Sequence, residues 1–389
     1  MLDVFIMDTT LREGEQNPGT VFSKDEKIEI AKMLDDARIQ SISVGMPIIG
    51  PEERDAIKAI TKENLNCSVS ALCRCNKADI DAARECDLSG IILFIGSSEK
   101  HMAARGLNEE KVMEMVGDAI DYSKDHGIVP FFAPEDATRT NFDFLYRLYK
   151  MAIDHGVPLI AYPDTVGVLT PESARDNIAL LIKLLNVPVA VHFHNDFGLA
   201  LGNTLSAYFA GAHAISSTIC GLGERAGNVA TEEVVMSLEV LYGIKTGIKL
   251  DLLYEIAKKV EKISGIPISP LKPIIGNNVF SHESGIHTQI IKKDPSTYEA
   301  IPIELIKRDR SFRFGKHSGK NLIQDILKQN NIEINEDDFN KLLNEMKDYQ
   351  KVRTKYTSAD FMSKYYEYLD SRSLNEVDII NMAKKIVDR

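Results

Sequence analysis

Short apolar runs alternate with longer amphipathic stretches from residue 3 to about residue 243. The runs are DVFIMD (3–8), SISVG (41–45), CSVSALC (67–73), GIILFIG (90–96), VPFFAPE (129–135), PLIAYPD (158–164), VPVAVHFH (187–194) and AISSTICG (214–221). Each is rich in β-branched or aromatic residues, as strands buried on both faces should be. The stretches between them read as helices. Phe142, Leu145, Tyr149 and Ala152 recur at spacings of 3, 4 and 3, which draws one apolar stripe along a helix. Ser23 followed by Glu26 predicts a capping box, and Thr170-Pro171 puts a cap and a proline at a helix start. Gly127 and Gly156 stand where C-terminal caps belong. Eight strand–helix units without a break predict an α/β fold, a closed (β/α)8 TIM barrel. An open doubly wound sheet shares the alternation and is the alternative.

The alternation stops near residue 265. GIPISPLKPIIGNN (265–278) is a proline-rich linker, and 283–330 mixes turns with short elements. EDDFNKLLNEMKDY (336–349) and LNEVDIINMAKKIV (374–387) are charged and helical in pattern. The expected organisation is a catalytic barrel over 1–264, a linker segment over 265–330 that completes the active site, and a small helical appendage over 331–389.

Composition changes this picture little. Hydrophobic residues make up 44% and charged ones 26%, ordinary values for a globular chain. The net charge of −11 is spread out, with no basic run, which argues against nucleic acid or an anionic membrane as partner. Five cysteines with no zinc-motif spacing predict reduced thiols and a cytoplasmic location. The first residues lack the pattern of a signal peptide, and no apolar run approaches the roughly 18 residues of a membrane span.

A barrel builds its site from the loops at the C-terminal ends of its strands. Polar residues gather at those ends: Asp8, Arg12 and Glu13; Arg74; Ser97, Ser98 and His101; Glu135, Asp136 and Arg139; Asp164 and Thr165; His192 to Asp196; and GLGERAGN (221–228). His192 and His194 are two apart on a strand, so both imidazoles share a face and can converge on one ion. Two hydrogen-bonded core histidines are the plainer alternative. Glu13 is the natural third, carboxylate ligand, and this set leaves positions open for a substrate. Arg12 beside it suits a developing oxyanion. Glu135 either serves the chemistry or pairs with Arg139 four residues on. The glycines of GLGERAGN suit a phosphate or a tight turn. His282 and His287 are five apart and would not share a helical face, and His126, His155 and His213 read as structural.

Together these stretches resemble the DRE-TIM metallolyase superfamily, and within it the homocitrate, isopropylmalate and citramalate synthases. The matching motifs are DTTLREGEQNPG (8–19), PEDATRT (134–140), PDTVG (163–167), HFHNDFGLA (192–200), GLGERAGN (221–228), HESGIH (282–287) and GKHSG (315–319). The resemblance spans nearly the whole chain in order. It looks closest to the shorter, nitrogenase-type homocitrate synthases, and it ends before the C-terminal regulatory domain that many isopropylmalate synthases carry.

The resemblance implies an acyltransferase that condenses acetyl-CoA with a 2-oxo acid and then hydrolyses the thioester. Glu13, His192 and His194 would bind a divalent ion (Mg, Mn, Zn or Co), with Asn228 in or near its shell. Arg12 would polarise the 2-oxo carbonyl, Thr165 would hold the carboxylate, and His101 would line the pocket. Glu135, His287 and Tyr298 would take part in deprotonating acetyl-CoA, with His287 on a segment exchanged within a homodimer. The arginine and histidine that lysine-pathway homocitrate synthases set against the distal carboxylate of 2-oxoglutarate correspond here to Phe131 and Ser70. Arg74 is the leading replacement, with Arg105 or Arg139 as alternatives. 2-Oxoglutarate is the expected substrate. Phe131, Phe132 and Pro163 would instead floor an apolar pocket suited to 2-oxoisovalerate or pyruvate.

Overall fold

A computed structural model describes residues 4–283, 290–291, 293–313, 320–374 and 376–387. The chain divides into two compact units, Met1–Pro267 and Ile268–Arg389. The first is a closed barrel of parallel strands: β1 (Phe5–Asp8), β2 (Ser41–Ser43), β3 (Ser68–Arg74), β4 (Gly90–Gly96), β5 (Val129–Glu135), β6 (Ile160–Asp164), β7 (Val189–Phe193) and β8 (Ala214–Ser217). β8 returns to pair with β1 in the register Phe5↔Ala214 to Asp8↔Ser217, so the open sheet is ruled out.

Several strands stop short of their apolar runs. The run at 214–221 leaves the sheet after Ser217 and becomes a single turn of 3-10 helix, with Cys220 at φ 62°. Ile219, beyond the strand end, is still fully buried. Hydrophobicity therefore reports burial there and not pairing.

The helices are set by the signals in the sequence. Ser23 and Glu26 form the reciprocal capping box of the helix Lys24–Asp36, and Thr170 pairs with Ser173 in the same way ahead of Pro171. On the helix Phe142–Asp154, Leu145, Tyr149 and Ala152 are buried, but Phe142 is 40% exposed; Phe144 and Leu148 complete the stripe. Burying a side chain such as Leu148 contributes about 1.5–3 kcal/mol.

The second unit carries a short parallel pairing of Ser281–His282 with Ser311–Phe312 and the helices Lys320–Gln329, Glu336–Ser371 and Glu376–Val387. Arg310 forks onto the buried Glu299, which also accepts from His282 Nε2 at 3.0 Å. Among the described residues, no helix is long and apolar enough to cross a membrane.

Candidate active site

The mouth of the barrel encloses a cavity of about 160 Å³. Its polar lining is Arg12, Glu13, Gln16, Glu135, Thr165, His192, His194, Ser216 and Glu224, and its apolar wall includes Leu72, Ile92, Phe94 and Pro163. Strand periodicity explains the selection. Ala133 and Glu135, Ala161 and Pro163, and His192 and His194 each sit two residues apart, so each pair points into the barrel.

Glu13, His192 and His194 converge there, with one potential ligand atom from each lying within 4.8 Å of the others. Glu13 Oε1 is 3.2 Å from His192 Nε2 and is also bonded by the Arg12 guanidinium. The other ring nitrogen of His192 faces Ser216 Oγ at 2.8 Å, which fixes the ring and leaves Nε2 for the centre of the group. Burial pushes the Glu13 carboxyl up, but Arg12 and both imidazoles outweigh it and hold it well below the usual carboxylate range. Burial, reinforced by His192, pushes His194 down to about 3. Both groups therefore stand ready as ligands at neutral pH, one as an anion and one as a neutral base.

Three atoms test whether a cation fits. Glu13 Oε2, His194 Nδ1 and Asn228 Oδ1 are all buried and none has a hydrogen-bond partner among the described residues. A cluster of buried electron-pair donors without donors facing them costs free energy in the bare protein. A divalent ion removes that cost, and the residues fit one.

Asn228 reaches the group through the loop GLGERAGN. Its backbone bridges His194, and its side-chain nitrogen lies 3.5 Å from His192 Nε2. A Cβ at Gly223 would overlap the Asn228 amide, and one at Gly227 (φ 81°) would overlap the carbonyl of Gly221. The glycines of this loop serve a tight turn.

Across the mouth, the residues at the ends of β3, β4 and β5 are paired with one another. Arg74 does not line the cavity; its guanidinium forks onto the fully buried Asp79. Arg139 does not pair with Glu135, because it forks onto Asp136. Asp136 is fully buried and held in the left-handed region at φ 66°. Glu135 is bonded instead by Arg105 at 2.8 Å, with His101 Nδ1 at 3.4 Å. Thr165 lines the cavity, and its Oγ1 accepts from the Asp136 N–H at 2.9 Å. Phe131 lies deeper, in a second cavity at the amino-terminal ends of the strands, and Ser70 lies with it. Tyr298 is 45% exposed in the second unit. His287 and the GKHSG motif lie outside the described residues. His126 and His155 bond Tyr122 and Asp121, and His213 stacks on Phe5.

Ser216, Gln16 and Glu224 were not singled out in the sequence. Ser216 had a signal: it is cross-strand from His192 in a predicted neighbouring strand. A lone serine or glutamine in a loop carries none.

Fold and site define a (β/α)8 barrel with a buried two-histidine, one-glutamate group at its C-terminal mouth. The family model described as HMGL-like matches residues 3–260, and that described as homocitrate synthase post-HMGL domain-like matches residues 274–354. The chain belongs to the HMGL-like family. It is 40% identical to homocitrate synthase AksA of Methanopyrus kandleri, over 95% of this chain and 94% of that one. It is 45% identical to 2-isopropylmalate synthase of Methanocaldococcus jannaschii, over 88% of this chain and 67% of that one. It is 39% identical to (R)-citramalate synthase CimA of the same organism, over 92% and 74%. Hydroxymethylglutaryl-CoA lyase from Pseudomonas aeruginosa shares the barrel, with a TM-score of 0.61 over 68% of this chain and 94% of that one. At 21% identity this is a likeness of fold.

Proposed function

We propose that the protein is a metal-dependent acyltransferase that joins the methyl carbon of acetyl-CoA to the carbonyl carbon of a 2-oxo acid, with 2-oxoglutarate as the substrate and homocitrate as the product. The observation that carries this reading is the buried group of Glu13, His192 and His194 with its unpartnered acceptors. The relatives named homocitrate synthase, which align along almost the whole of both chains, support the choice of 2-oxo acid.

Glu13, His192 and His194 would hold the ion, with Asn228 beside them. When bound, it supplies a Lewis acid that polarises the 2-oxo carbonyl. The chain's own residues do the rest. Arg12 holds the oxygen that gains charge as the carbonyl is attacked. Thr165 donates a hydrogen bond from its hydroxyl to the substrate's carboxylate, since its oxygen already accepts from the Asp136 N–H. Glu135, assisted by His287 and Tyr298, removes a proton from the acetyl methyl, and the carbanion so formed attacks the carbonyl carbon. Water then cleaves the thioester and releases CoA, which makes the sequence irreversible.

Arg105 is the best-placed partner for a distal carboxylate, because Arg74 and Arg139 are each held by a fully buried aspartate, while Arg105 pairs with the half-buried Glu135, which itself lines the cavity. His101, beside the same carboxylate, lines the approach. The apolar wall of Leu72, Ile92 and Phe94 supports a second reading, a 2-oxo acid with an alkyl side chain.

The mouth also supports a homodimer with exchanged C-terminal segments. Val21, Ile49, Val168 and Phe197, from four different mouth loops, are 77%, 72%, 46% and 72% exposed. Apolar side chains in that position suit a covering segment. A cytoplasmic location fits cysteines that form no disulfide among the described residues.

The test is CoA release from acetyl-CoA with 2-oxoglutarate, 2-oxoisovalerate, pyruvate and oxaloacetate in turn. The expected result is the highest kcat/KM with 2-oxoglutarate; a preference for 2-oxoisovalerate or pyruvate overturns the homocitrate assignment.

A further inference from the structure

We propose that Arg225 is a positioning residue whose guanidinium locks the loops after β6, β7 and β8 so that the Thr165 hydroxyl faces the 2-oxo acid. The inference rests on the role given to Thr165 above. Arg225 donates from Nε to Asp196 Oδ1 at 2.8 Å and from Nη2 to Asp196 Oδ2 at 2.9 Å. The same Nη2 donates to the carbonyl of Thr165 at 2.6 Å, and Nη1 reaches Glu224 Oε2 at 3.1 Å. One planar group thus touches a residue from each of three loops: Thr165 after β6, Asp196 after β7 and Glu224 after β8.

Geometry gives the latch its consequence. The Thr165 Oγ1 already accepts from the Asp136 N–H, and the Thr165 carbonyl is fixed by Arg225, so both ends of the residue are tied. What remains free is the hydroxyl proton, on a residue that lines the cavity with His192 and His194. Arg225 itself sits in the left-handed region at φ 57°. A non-glycine residue there carries local strain that the surroundings must offset, and the hydrogen bonds of its side chain do so. Lysine would keep the charge, but its single nitrogen lacks the two-point fork on Asp196 that aims Nη2 at the Thr165 carbonyl.

The test is Arg225→Lys in the metal-loaded enzyme, with steady-state kinetics, Mn titration by calorimetry and amide hydrogen exchange. The expected result is a KM for the 2-oxo acid raised about tenfold, the scale of one lost hydrogen bond from Thr165 to the substrate's charged carboxylate. Over the same comparison, kcat, the KM for acetyl-CoA and Mn affinity stay within about twofold of wild type. Exchange should rise at the amides of 165–168 and 196–198 while β3 and β4 keep their protection. An unchanged KM for the 2-oxo acid overturns the inference. So does a parallel decline of every parameter with exchange raised throughout the barrel, because that is general destabilisation. If wild type releases no CoA with any 2-oxo acid, the functional reading above fails. The latch is then judged on exchange alone, where a local rise supports it and no local change overturns it.

Discussion

The two sides of the barrel mouth differ in how their charges are satisfied. On the β3–β5 side two arginines are spoken for: Asp79 grips Arg74, Asp136 grips Arg139, and both aspartates are fully buried. On the β1–β7–β8 side, Glu13, His194 and Asn228 bury atoms that meet no donor among the described residues. Paired buried charges hold loops in place. Unpaired buried acceptors are costly, and they persist only where something else supplies the missing charge. Within the barrel mouth, the contrast sets the gathered acceptors apart from the arginines that buried aspartates hold.

The largest effect should come from the unpaired side. His192→Ala or His194→Ala is expected to lower kcat/KM by about 10³-fold or more, the scale of several kcal/mol of lost charge stabilisation. Circular dichroism should show the fold intact. Ser216→Ala, which frees the second nitrogen of His192, should weaken metal affinity about 10–100-fold. Near-normal turnover in either histidine variant would erase the contrast.

The paired side should respond differently to Arg105→Met and to Arg74→Met. With 2-oxoglutarate, Arg105→Met is expected to cost about 1–2 kcal/mol in kcat/KM, the scale of a charge-assisted contact from a partly exposed arginine. Arg74→Met should change kcat/KM by less than about threefold and instead lower Tm, because Asp79 is left buried and unpaired. The reverse ranking would return Arg74 to the substrate.

A third effect follows from His194, whose native pKa of about 3 lies below its ordinary 6.5. Between those values the unfolded imidazole binds a proton that the native one does not. The metal-free protein should therefore lose stability as pH falls from 6.5 toward about 3. Denaturant titrations across that window should show a slope that His194→Gln reduces by up to about 1.4 kcal/mol per pH unit. An unchanged slope would mean that His194 protonates freely in the folded state.

The smallest effect concerns the thiols. Burial pushes Cys67 up to about 12 and Cys86 up to about 11, and raises Cys73 and Cys75 as well. Mass spectrometry after iodoacetamide treatment at pH 8 should find these four largely unmodified until denaturant is added. Rapid alkylation of the native protein would contradict their place in the core.

Much of this could be read from the chain. Strand-by-strand alternation gave the barrel, because parallel strands buried on both faces leave continuous apolar runs. The strand ends were less legible, as at Ile219, because a buried 3-10 turn is as apolar as a strand. His192, His194 and Glu13 were legible because period-two spacing fixes a shared face and chemistry limits the third partner. The fate of the arginines was not. Whether Arg74 meets a substrate or Asp79 depends on the first turn of the following helix, where Asn76 caps Asp79 and turns that carboxylate back onto the strand end. Local spacing alone does not predict that fold-back.

The most direct measurement is CoA release from acetyl-CoA and 2-oxoglutarate before chelation, after exhaustive chelation and after a divalent ion is restored, with bound metal counted at each stage. The account predicts about one ion per chain, loss of thiol release on its removal and recovery when it is restored. Undiminished release from metal-free protein would contradict it.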